Sequence, residues 1–221
     1  MLPSVRLEIR PASDRSLLVS FGQEISIEAH REVLRMMRVM EKRPPGILNL
    51  HPAFTSVLVD LDPRRLTQED VEVLIEERLA RLEGLPPSEP RIIEIPVKYG
   101  GESGPDLIEV ARITGLTPAR VVERHAAAEY RVYFLGFSPG FPYLGGMPQE
   151  LAVPRLATPR KRVPRGSVAI GGEQTGIYPL DSPGGWRIIG HTDLTLFDAA
   201  ADPPALLRSG DSVRFVPQGE V

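Results

Sequence analysis

The stretch YRVYFLGFSPGFPYLGG, residues 130–146, determines how the C-terminal half of the chain is expected to fold. An apolar run stops at Gly136, and a Ser-Pro-Gly turn precedes a second short apolar run. The same pattern continues through TPRKRVPRGSVAIGG (158–172) and QTGIYPLDSPGGWRIIG (174–190). Several short strands joined by tight turns, with no helices between them, are typical of a closed barrel or a sandwich. The strands predicted beyond residue 130 are 131–135, 167–170, 176–178, 187–189, 194–197 and 212–216.

Residues 91–129, immediately upstream, combine one strand with two helices. Residues 91–99 read as the strand, and a helix from about residue 105 to 113 ends at Gly115. Thr117 and Pro118 suit the N-cap and the first helical position of a second helix, which runs to about residue 127. We therefore predict a C-terminal domain of residues 91–221, a β domain with two short helices.

Residues 1–90 alternate strand and helix patterns in the order ββαββα. Apolar residues recur at spacings of three and four from Val33 to Met40, as on the buried face of a helix. Thr67 suits the N-cap of the second helix, with Asp70 as its capping partner. This order is typical of a small α+β sandwich in which two helices cover one sheet. The segment LPPSEP, residues 85–90, is the predicted linker; the predicted strands are 5–9, 17–21, 47–50 and 56–61.

Composition excludes several classes of function. The 221 residues carry 26 Lys and Arg against 29 Asp and Glu, a net charge of −3. This balance argues against general binding of nucleic acid or of an anionic membrane. The chain has no cysteine, which excludes disulfides, zinc–thiolate sites and a cysteine nucleophile and fits a cytoplasmic protein. No apolar run approaches the roughly 20 residues of a membrane span.

Known site motifs are also missing from the sequence. It has neither a G-x-x-x-x-G-K-[ST] loop nor a G-x-S-x-G nucleophile turn. The glycine-rich residues 171–176 lead into a predicted strand rather than a helix, which does not favour a phosphate loop. We expect no transition-metal site, because the histidines show no ligand spacing; they are His30, His51, His125 and His191.

Polar residues among the aromatics between residues 130 and 191 suggest a small-molecule site. An apolar pocket with a few placed polar groups is what such a site needs. Arg160 suits a carboxylate or phosphate. Gln174 and Tyr178 can each orient a carbonyl or an amide, and Ser182 is a further polar candidate.

A purely structural interpretation of the same region is also open. The glycines and prolines would then turn the corners of the β domain. The aromatic residues would fill its core; they are Phe137, Phe141, Tyr143 and Trp186.

The strings FLGFSPGFPYLGG, TPRKRVPRGSVAIGG and QTGIYPLDSPGGWRIIGHTDLTLFD resemble the KipI family. Its members are also called the B subunits of bacterial ATP-dependent 5-oxoprolinase, or allophanate hydrolase subunit 1. The resemblance is strongest from about residue 99 to 216 and extends more weakly through SLLVSFG and FTSVLVDLDP of the first domain. It implies an α+β fold, in which a small N-terminal α+β sandwich is followed by a cyclophilin-like β-barrel domain.

The resemblance also implies an enzymatic role. The expected protein is a hydrolase subunit that acts in the cytoplasm, with the A-type and C-type subunits of 5-oxoprolinase as its partners. The complex would cleave 5-oxo-L-proline to L-glutamate at the expense of ATP. ATP would be bound by a partner or at a shared interface, and the isolated chain would be inactive.

The family motifs imply the site residues. The catalytic candidates are Arg160, Gln174 and Tyr178. Arg160 would bind an anion, and Gln174 and Tyr178 would orient the lactam. Where the family pattern suggests Arg, this sequence has His191, which would make contact with a substrate anion sensitive to pH near neutrality. The substrate-binding candidates are Phe137, Gly140, Phe141, Pro142, Pro164, Ser167, Thr175, Ser182, Trp186 and His191.

The resemblance leaves a second function open. KipI is described as an inhibitor of a sporulation histidine kinase, so the chain would then be a regulatory module that binds a kinase directly. Either the motif segment or the methionine-bearing helix of the first domain would form that interface. A prolyl isomerase is not expected, because a barrel architecture does not carry activity with it.

Overall fold

A computed structural model describes residues 7–81 and 90–219. The chain divides into two compact units, Met1–Glu89 and Pro90–Val221. The first two residues of the strand predicted over 5–9, and residues 85–89 of the predicted linker, lie outside the described residues. No helix in the described ranges is long and apolar enough to cross a membrane.

The first unit is the predicted α+β sandwich. Its sheet is antiparallel in the order β1-β2-β4-β3, and helix α1 packs on β3, β4 and helix α2. The elements are β1 Glu8–Ser13, β2 Ser16–Ser20, α1 Ile27–Val39, β3 Ile47–Pro52, β4 Ser56–Leu61 and α2 Gln68–Ala80.

The core of this unit accounts for the methionines of α1. Met36 and Met40 are fully buried against Val57 and Val59 of β4 and neighbouring apolar side chains. These two methionines therefore fill the core, and they do not offer the docking surface considered from the sequence.

Helix α2 begins with the capping box predicted from the sequence. The Thr67 side chain accepts a hydrogen bond from the Asp70 backbone, and the Asp70 carboxylate accepts one from the Thr67 backbone at 2.9 Å. The hydrogen bonds from the Thr67 backbone and hydroxyl hold the pKa of Asp70 below its usual value.

The second unit contains a closed barrel of seven strands in the order β10-β7-β6-β13-β5-β12-β9, with β9 paired to β10. Strands β8 and β11 form a separate two-stranded sheet. The elements are β5 Ile92–Tyr99, α3 Leu107–Thr114, α4 Pro118–Ala127, β6 Tyr130–Leu135, β7 Pro142–Gly145, β8 Arg160–Val163, β9 Ser167–Gly171, β10 Gln174–Ile177, β11 Ser182–Gly184, β12 Arg187–His191 and β13 Ser212–Pro217.

One predicted strand is wrong. Residues 194–197 form no strand, and only an isolated bridge joins Phe197 to Ala205. The apolar pattern there has another cause, because Leu196 is buried in the barrel core from an irregular segment.

Candidate functional site

The strands β9 and β10 carry two different sets of side chains on their two faces. Ile170 and its cross-strand partner Thr175 point into the barrel core, where both are fully buried. Successive residues of a strand point to opposite faces. Ala169 therefore lies on the outer face, where it belongs to a second apolar cluster with Trp186.

Glycine makes room for the indole on this outer face. A Cβ atom at Gly171 would lie only 2.4 Å from Cδ1 of Trp186, so any larger residue would displace the ring. Gln174 lies directly opposite Gly171 in the β9–β10 ladder. The side chains of directly opposite residues lie on the same face of a sheet. The Gln174 side chain therefore lies on the outer face, which also carries the indole of Trp186.

Five aromatic residues, which we call the aromatic wall, cover this face: Phe137, Phe141, Tyr143, Tyr178 and Trp186. The ring of Phe141 is at the centre, with the other four centroids 5.3–5.5 Å away and all edge-on to it. Phe141, Tyr178 and Trp186 are buried, whereas Phe137 is 64% exposed. The structural interpretation thus holds for the three buried rings, which fill a core outside the barrel.

The hydroxyl of Tyr178 is aimed at the small β8–β11 sheet. A Cβ atom at Gly184 would lie 2.3 Å from this oxygen, so the two groups are in close contact. Burial raises the pKa of Tyr178, while a hydrogen bond with the Trp186 backbone and the charges of Arg155 and Arg160 act in the opposite direction. The phenol therefore stays protonated at neutral pH and can donate a hydrogen bond.

Arg160 lies across the β8–β11 ladder from Gly184. Its Nη2 donates to the Asp106 carboxylate at 2.7 Å. Its Nη1 is buried and has no hydrogen-bond partner among the described residues. A buried guanidinium nitrogen without a partner is costly, so this donor is available to a bound anion.

A second cation, Arg155, was missed from the sequence. Its guanidinium carbon lies 5.8 Å from the centroid of the Trp186 ring, within the range of a cation–π contact. The part of the chain that the structure describes holds no carboxylate paired with Arg155. The only signal in the sequence was that Arg155 lies five residues before Arg160.

Two positive charges, those of Arg155 and Arg160, therefore lie near the aromatic wall, and the carboxylate of Asp106 balances one of them. Asp106 was also missed, because it is far from Arg160 in the sequence. Two serine hydroxyls, those of Ser138 and Ser182, are buried without a hydrogen-bond partner in the described structure. The region combines an apolar surface, a net positive charge and unused hydrogen-bonding groups, which suits a small ring-shaped anion.

The structure gives several other predicted site residues positions in the barrel core, in strands or in turns. Thr175 is in the barrel core, with its hydroxyl between His125 and the Ala169 carbonyl. Ser167 is buried in β9, and its backbone oxygen accepts from the Tyr178 backbone at 2.9 Å. Two further residues belong to turns: Gly140, which precedes β7, and Pro164, whose carbonyl accepts from the Ser167 backbone. Pro142 is the first residue of β7.

His191 lines a cavity apart from the aromatic wall. This cavity has a volume of about 190 Å³, and none of the residues of the aromatic wall lines it. Nε2 of His191 lies 3.0 Å from the Arg165 carbonyl, and Nδ1 lies 3.6 Å from the Asp193 carboxylate. The structure thus brings Arg160 and Tyr178 together beside the aromatic residues and the β8–β11 sheet that contains Ser182, and it places Gln174 on the sheet face that carries the Trp186 indole. It leaves His191 outside that group.

The described ranges contain no cluster of three or more His, Asp or Glu residues that could hold a metal ion. Helices α1, α2 and α4 begin with N-caps from their own side chains, namely Ser26, Thr67 and Thr117. The corresponding carboxylate at α3, that of Asp106, binds Arg160.

Comparison with known proteins identifies relatives over nearly the whole chain. Residues 7–207 match the carboxyltransferase domain, subdomain C and D. The 5-oxoprolinase B subunit of Bacillus subtilis (strain 168) is 45% identical, over 96% of this chain and 93% of that protein. The 5-oxoprolinase B subunit of Escherichia coli O157:H7 is 47% identical, over 94% of each.

A solved structure shows the same fold. The crystal structure of TTHA0988 superposes with a TM-score of 0.82 and 41% sequence identity over 94% of this chain. The match covers 40% of that protein, so this chain spans about two fifths of its length.

Proposed function

This chain belongs to the carboxyltransferase domain family, subdomains C and D, and within it to the 5-oxoprolinase B subunits, and we propose that it is the B subunit of an ATP-dependent 5-oxoprolinase. The reaction is the cleavage of 5-oxo-L-proline to L-glutamate, driven by hydrolysis of ATP. The chain acts in a complex with the A-type and C-type subunits, and the isolated chain is inactive.

The observation that carries the proposal is the buried, unpartnered Nη1 of Arg160 beside the aromatic wall. The substrate is a small apolar ring with a carboxylate and a lactam amide. Arg160 binds the carboxylate, with Arg155 as a second cation at the rim. The exposed ring of Phe137, at the edge of the aromatic wall, contacts the substrate ring, and Gln174 and Tyr178 supply hydrogen bonds to the lactam.

The protonated Tyr178 has a particular task in this arrangement. The phosphoryl group passes from ATP to the lactam oxygen and ADP leaves. Water then attacks the ring carbon, and the carbon–nitrogen bond breaks as a proton passes to the nitrogen. A second water hydrolyses the resulting acyl phosphate to the glutamate carboxylate and free phosphate. A neutral phenol that donates to the transferred phosphoryl group stabilises its negative charge, without first losing its own proton. Its raised pKa keeps it in that form throughout the neutral range.

We place ATP on a partner protein or at an interface shared with one. The helix starts of the described residues are occupied by capping groups of the chain itself or by the Asp106–Arg160 pair. The length of TTHA0988 supports the need for further polypeptide, since three fifths of that chain lie outside the match. We assign the complex to the cytoplasm, where ATP is available.

The test is reconstitution of the complex from purified proteins, with each component left out in turn. We expect glutamate formation from 5-oxoproline to require ATP, this chain and its partners together. Arg160→Ala should lower kcat/KM about 100-fold, in line with a lost charge-assisted hydrogen bond of about 1.5–3 kcal/mol. Gln174→Ala and Tyr178→Phe should each lower it about tenfold.

Arg162→Ala is the matched control for Arg160→Ala. Arg162 lies on the same strand, but its side chain is exposed and paired with Asp181. It should leave kcat/KM unchanged. An assembled complex that forms no glutamate would contradict the proposal, and binding to a histidine kinase would then be the function to measure.

A further inference from the structure

Asp106 occupies the N-cap position of helix α3 but does not cap the helix. Its backbone has φ −98° and ψ −1°, and its side chain accepts no hydrogen bond from the first turn of α3. The N-cap residues of the other three α-helices have extended backbones and cap through their hydroxyls. A side-chain N-cap stabilises the first turn of a helix, so α3 lacks a stabilising contact that Asp normally provides.

The carboxylate of Asp106 is used elsewhere. Oδ2 accepts from the backbone N–H of Ile188 at 2.7 Å, and Oδ1 accepts from Nη2 of Arg160 at 2.7 Å. The side chain is only 11% exposed. Both oxygens are therefore committed, one to the barrel and one to the arginine.

The surrounding backbone fixes this carboxylate to strand β12. The N–H of Asp106 donates to the Ile188 carbonyl at 2.9 Å, so the two residues are joined in both directions. Six residues earlier, the N–H of Gly100 donates to the Ile189 carbonyl at 3.1 Å. Because β12 is a barrel strand, Asp106 is attached to the barrel itself.

The contact with Arg160 uses one nitrogen only. A guanidinium can pair with a carboxylate through two parallel hydrogen bonds, but here Oδ2 is already taken by Ile188. The pairing therefore fixes the orientation of Arg160 and leaves Nη1 buried and unused. Holding a long side chain in one rotamer before the ligand arrives removes an entropic cost from binding.

We propose that Asp106 is a positioning residue, which orients Arg160 so that Nη1 is presented to the carboxylate of the bound substrate. Asp106 does not itself touch the substrate. The identity of the ligand rests on the proposed function; the orientation of Arg160 by Asp106 does not.

The main test is Asp106→Asn in the reconstituted complex. The Asn side-chain oxygen can still accept from Ile188, so the fold is kept, but the charged partner of Arg160 is lost. We expect KM for 5-oxoproline to rise about tenfold with kcat within about threefold of the unsubstituted protein. A merely structural role would instead lower the amount of complex and the thermal midpoint, with KM unchanged, and this result would overturn the proposal.

A double-variant comparison shows whether the effect passes through Arg160. Added to Arg160→Ala, Asp106→Asn should cause no further loss of kcat/KM, because the group that it orients is gone. A further tenfold loss in that background would overturn the proposal. Asp181→Asn is the matched control: Asp181 likewise accepts from an arginine, Arg162, and from a backbone N–H, that of Arg165, but at an exposed position. It should leave KM unchanged.

Nuclear magnetic resonance on the isolated full chain separates this inference from the proposed function. With ¹⁵N-labelled arginine, we expect slow rotation of the Arg160 guanidinium in the unsubstituted protein and fast rotation in Asp106→Asn. If the reconstituted complex does not cleave 5-oxoproline, the proposed function fails, and this measurement alone decides the inference. Equal rotation rates in the two proteins would overturn it.

Discussion

Phe137 combines a bulky side chain with a backbone conformation that such residues rarely adopt. Its φ is +63°, the only positive value of a residue other than glycine in the described ranges. The N–H of Ser138 donates across it to the Gly136 carbonyl at 2.7 Å, which closes a three-residue turn of a strained type. The turn places the ring at the exposed edge of the aromatic wall, 5.5 Å from Phe141. Strain of this kind costs roughly 1–3 kcal/mol and is often found at functional sites.

We expect Phe137→Gly to separate stability from activity. Glycine relieves the backbone strain, and an exposed ring contributes little to folding, so the thermal midpoint should not fall. The kcat/KM of the complex should fall about tenfold, because the outer edge of the aromatic wall is lost. Calorimetry and steady-state kinetics measure the two quantities. A lower midpoint with unchanged kinetics would show that Phe137 serves the fold alone.

His125 is the most unusual titratable residue of the barrel. Its side chain is fully buried between two hydroxyls, with Nδ1 2.8 Å from Tyr99 and Nε2 2.9 Å from Thr175. Thr175 donates its proton to the Ala169 carbonyl, so its oxygen accepts from Nε2–H and Tyr99 donates to Nδ1. Burial lowers the pKa of His125 to about 3. It also raises the pKa of Tyr99 and of Tyr130, so neither phenol titrates in the acidic range.

The buried His125 should make the chain sensitive to acid. The unfolded chain binds a proton at this residue below about pH 6.5, whereas the folded chain stays neutral down to about pH 3. Above pH 6.5 His125 therefore does not lower the free energy of unfolding. As the pH falls from 6.5 towards 3, protonation of the unfolded chain at this residue lowers that free energy progressively. The expected slope is about 1.4 kcal/mol per pH unit.

Urea unfolding at several pH values between 4 and 6 measures this slope. His125→Gln removes the titrating group, while the carboxylates contribute equally to both proteins. The unfolding free energy of the variant should therefore depend less steeply on pH, by about one proton. Identical slopes would mean that His125 is not buried as a neutral group.

At the scale of elements, the parallel pair of β5 and β13 closes the barrel between the first and last strands of the second unit. Asp211 lies just before β13, and its side chain is almost completely buried. Its carboxylate accepts a hydrogen bond at 2.9 Å from Nε of Arg91, which lies just before β5. It also accepts from the Arg208 backbone at 2.8 Å. This one carboxylate therefore sets the relative position of two strands that are far apart in the sequence.

Asp211→Ala should lower the unfolding free energy by about 1–3 kcal/mol, because the backbone N–H of Arg208 and the Arg91 side chain lose the carboxylate that accepts from them. Urea denaturation measures the loss. Asp193→Ala is the control, because its pair with Lys98 is exposed at the surface. It should produce no measurable change. Equal effects of the two substitutions would show that the Arg91 pair does not hold the strands.

Local signals accounted for the elements, but not for their arrangement. The capping box at Thr67 was predictable because it depends on residues three positions apart. The seven-strand order and the parallel β5–β13 pairing were not, because strand partners are chosen by packing between distant segments. The wrong strand at 194–197 has the same origin, since an apolar residue such as Leu196 can reach the core from a loop.

At the scale of the whole molecule, each of the two units has its own apolar core. We expect residues 90–221 to fold when produced alone, because the barrel closes on itself and contains the complete aromatic wall. Trp186 is the single tryptophan of the chain, so its fluorescence reports on this unit. A cooperative urea transition is expected. The same segment with Ile189→Asp, which places a charge in the barrel core, should lose it.

A non-cooperative transition of the unsubstituted segment would contradict the placement of the domain boundary near residue 90. In that case the barrel would depend on the first unit for its fold.

The sequence by itself determined the two fold patterns and the family, and it predicted the chemical types of the candidate site. Periodicity, turns and caps act over a few residues, and Arg160, Gln174 and Tyr178 lie within long motifs that resemble the family. Tertiary structure alone decided which of these residues meet. It put Thr175 inside the barrel and His191 on a cavity apart from the aromatic wall, and it brought Arg155 and Asp106 to the aromatic wall. Asp106 and Arg160 meet only because α3, β12 and β8 pack together, and such contacts leave no local pattern in a sequence.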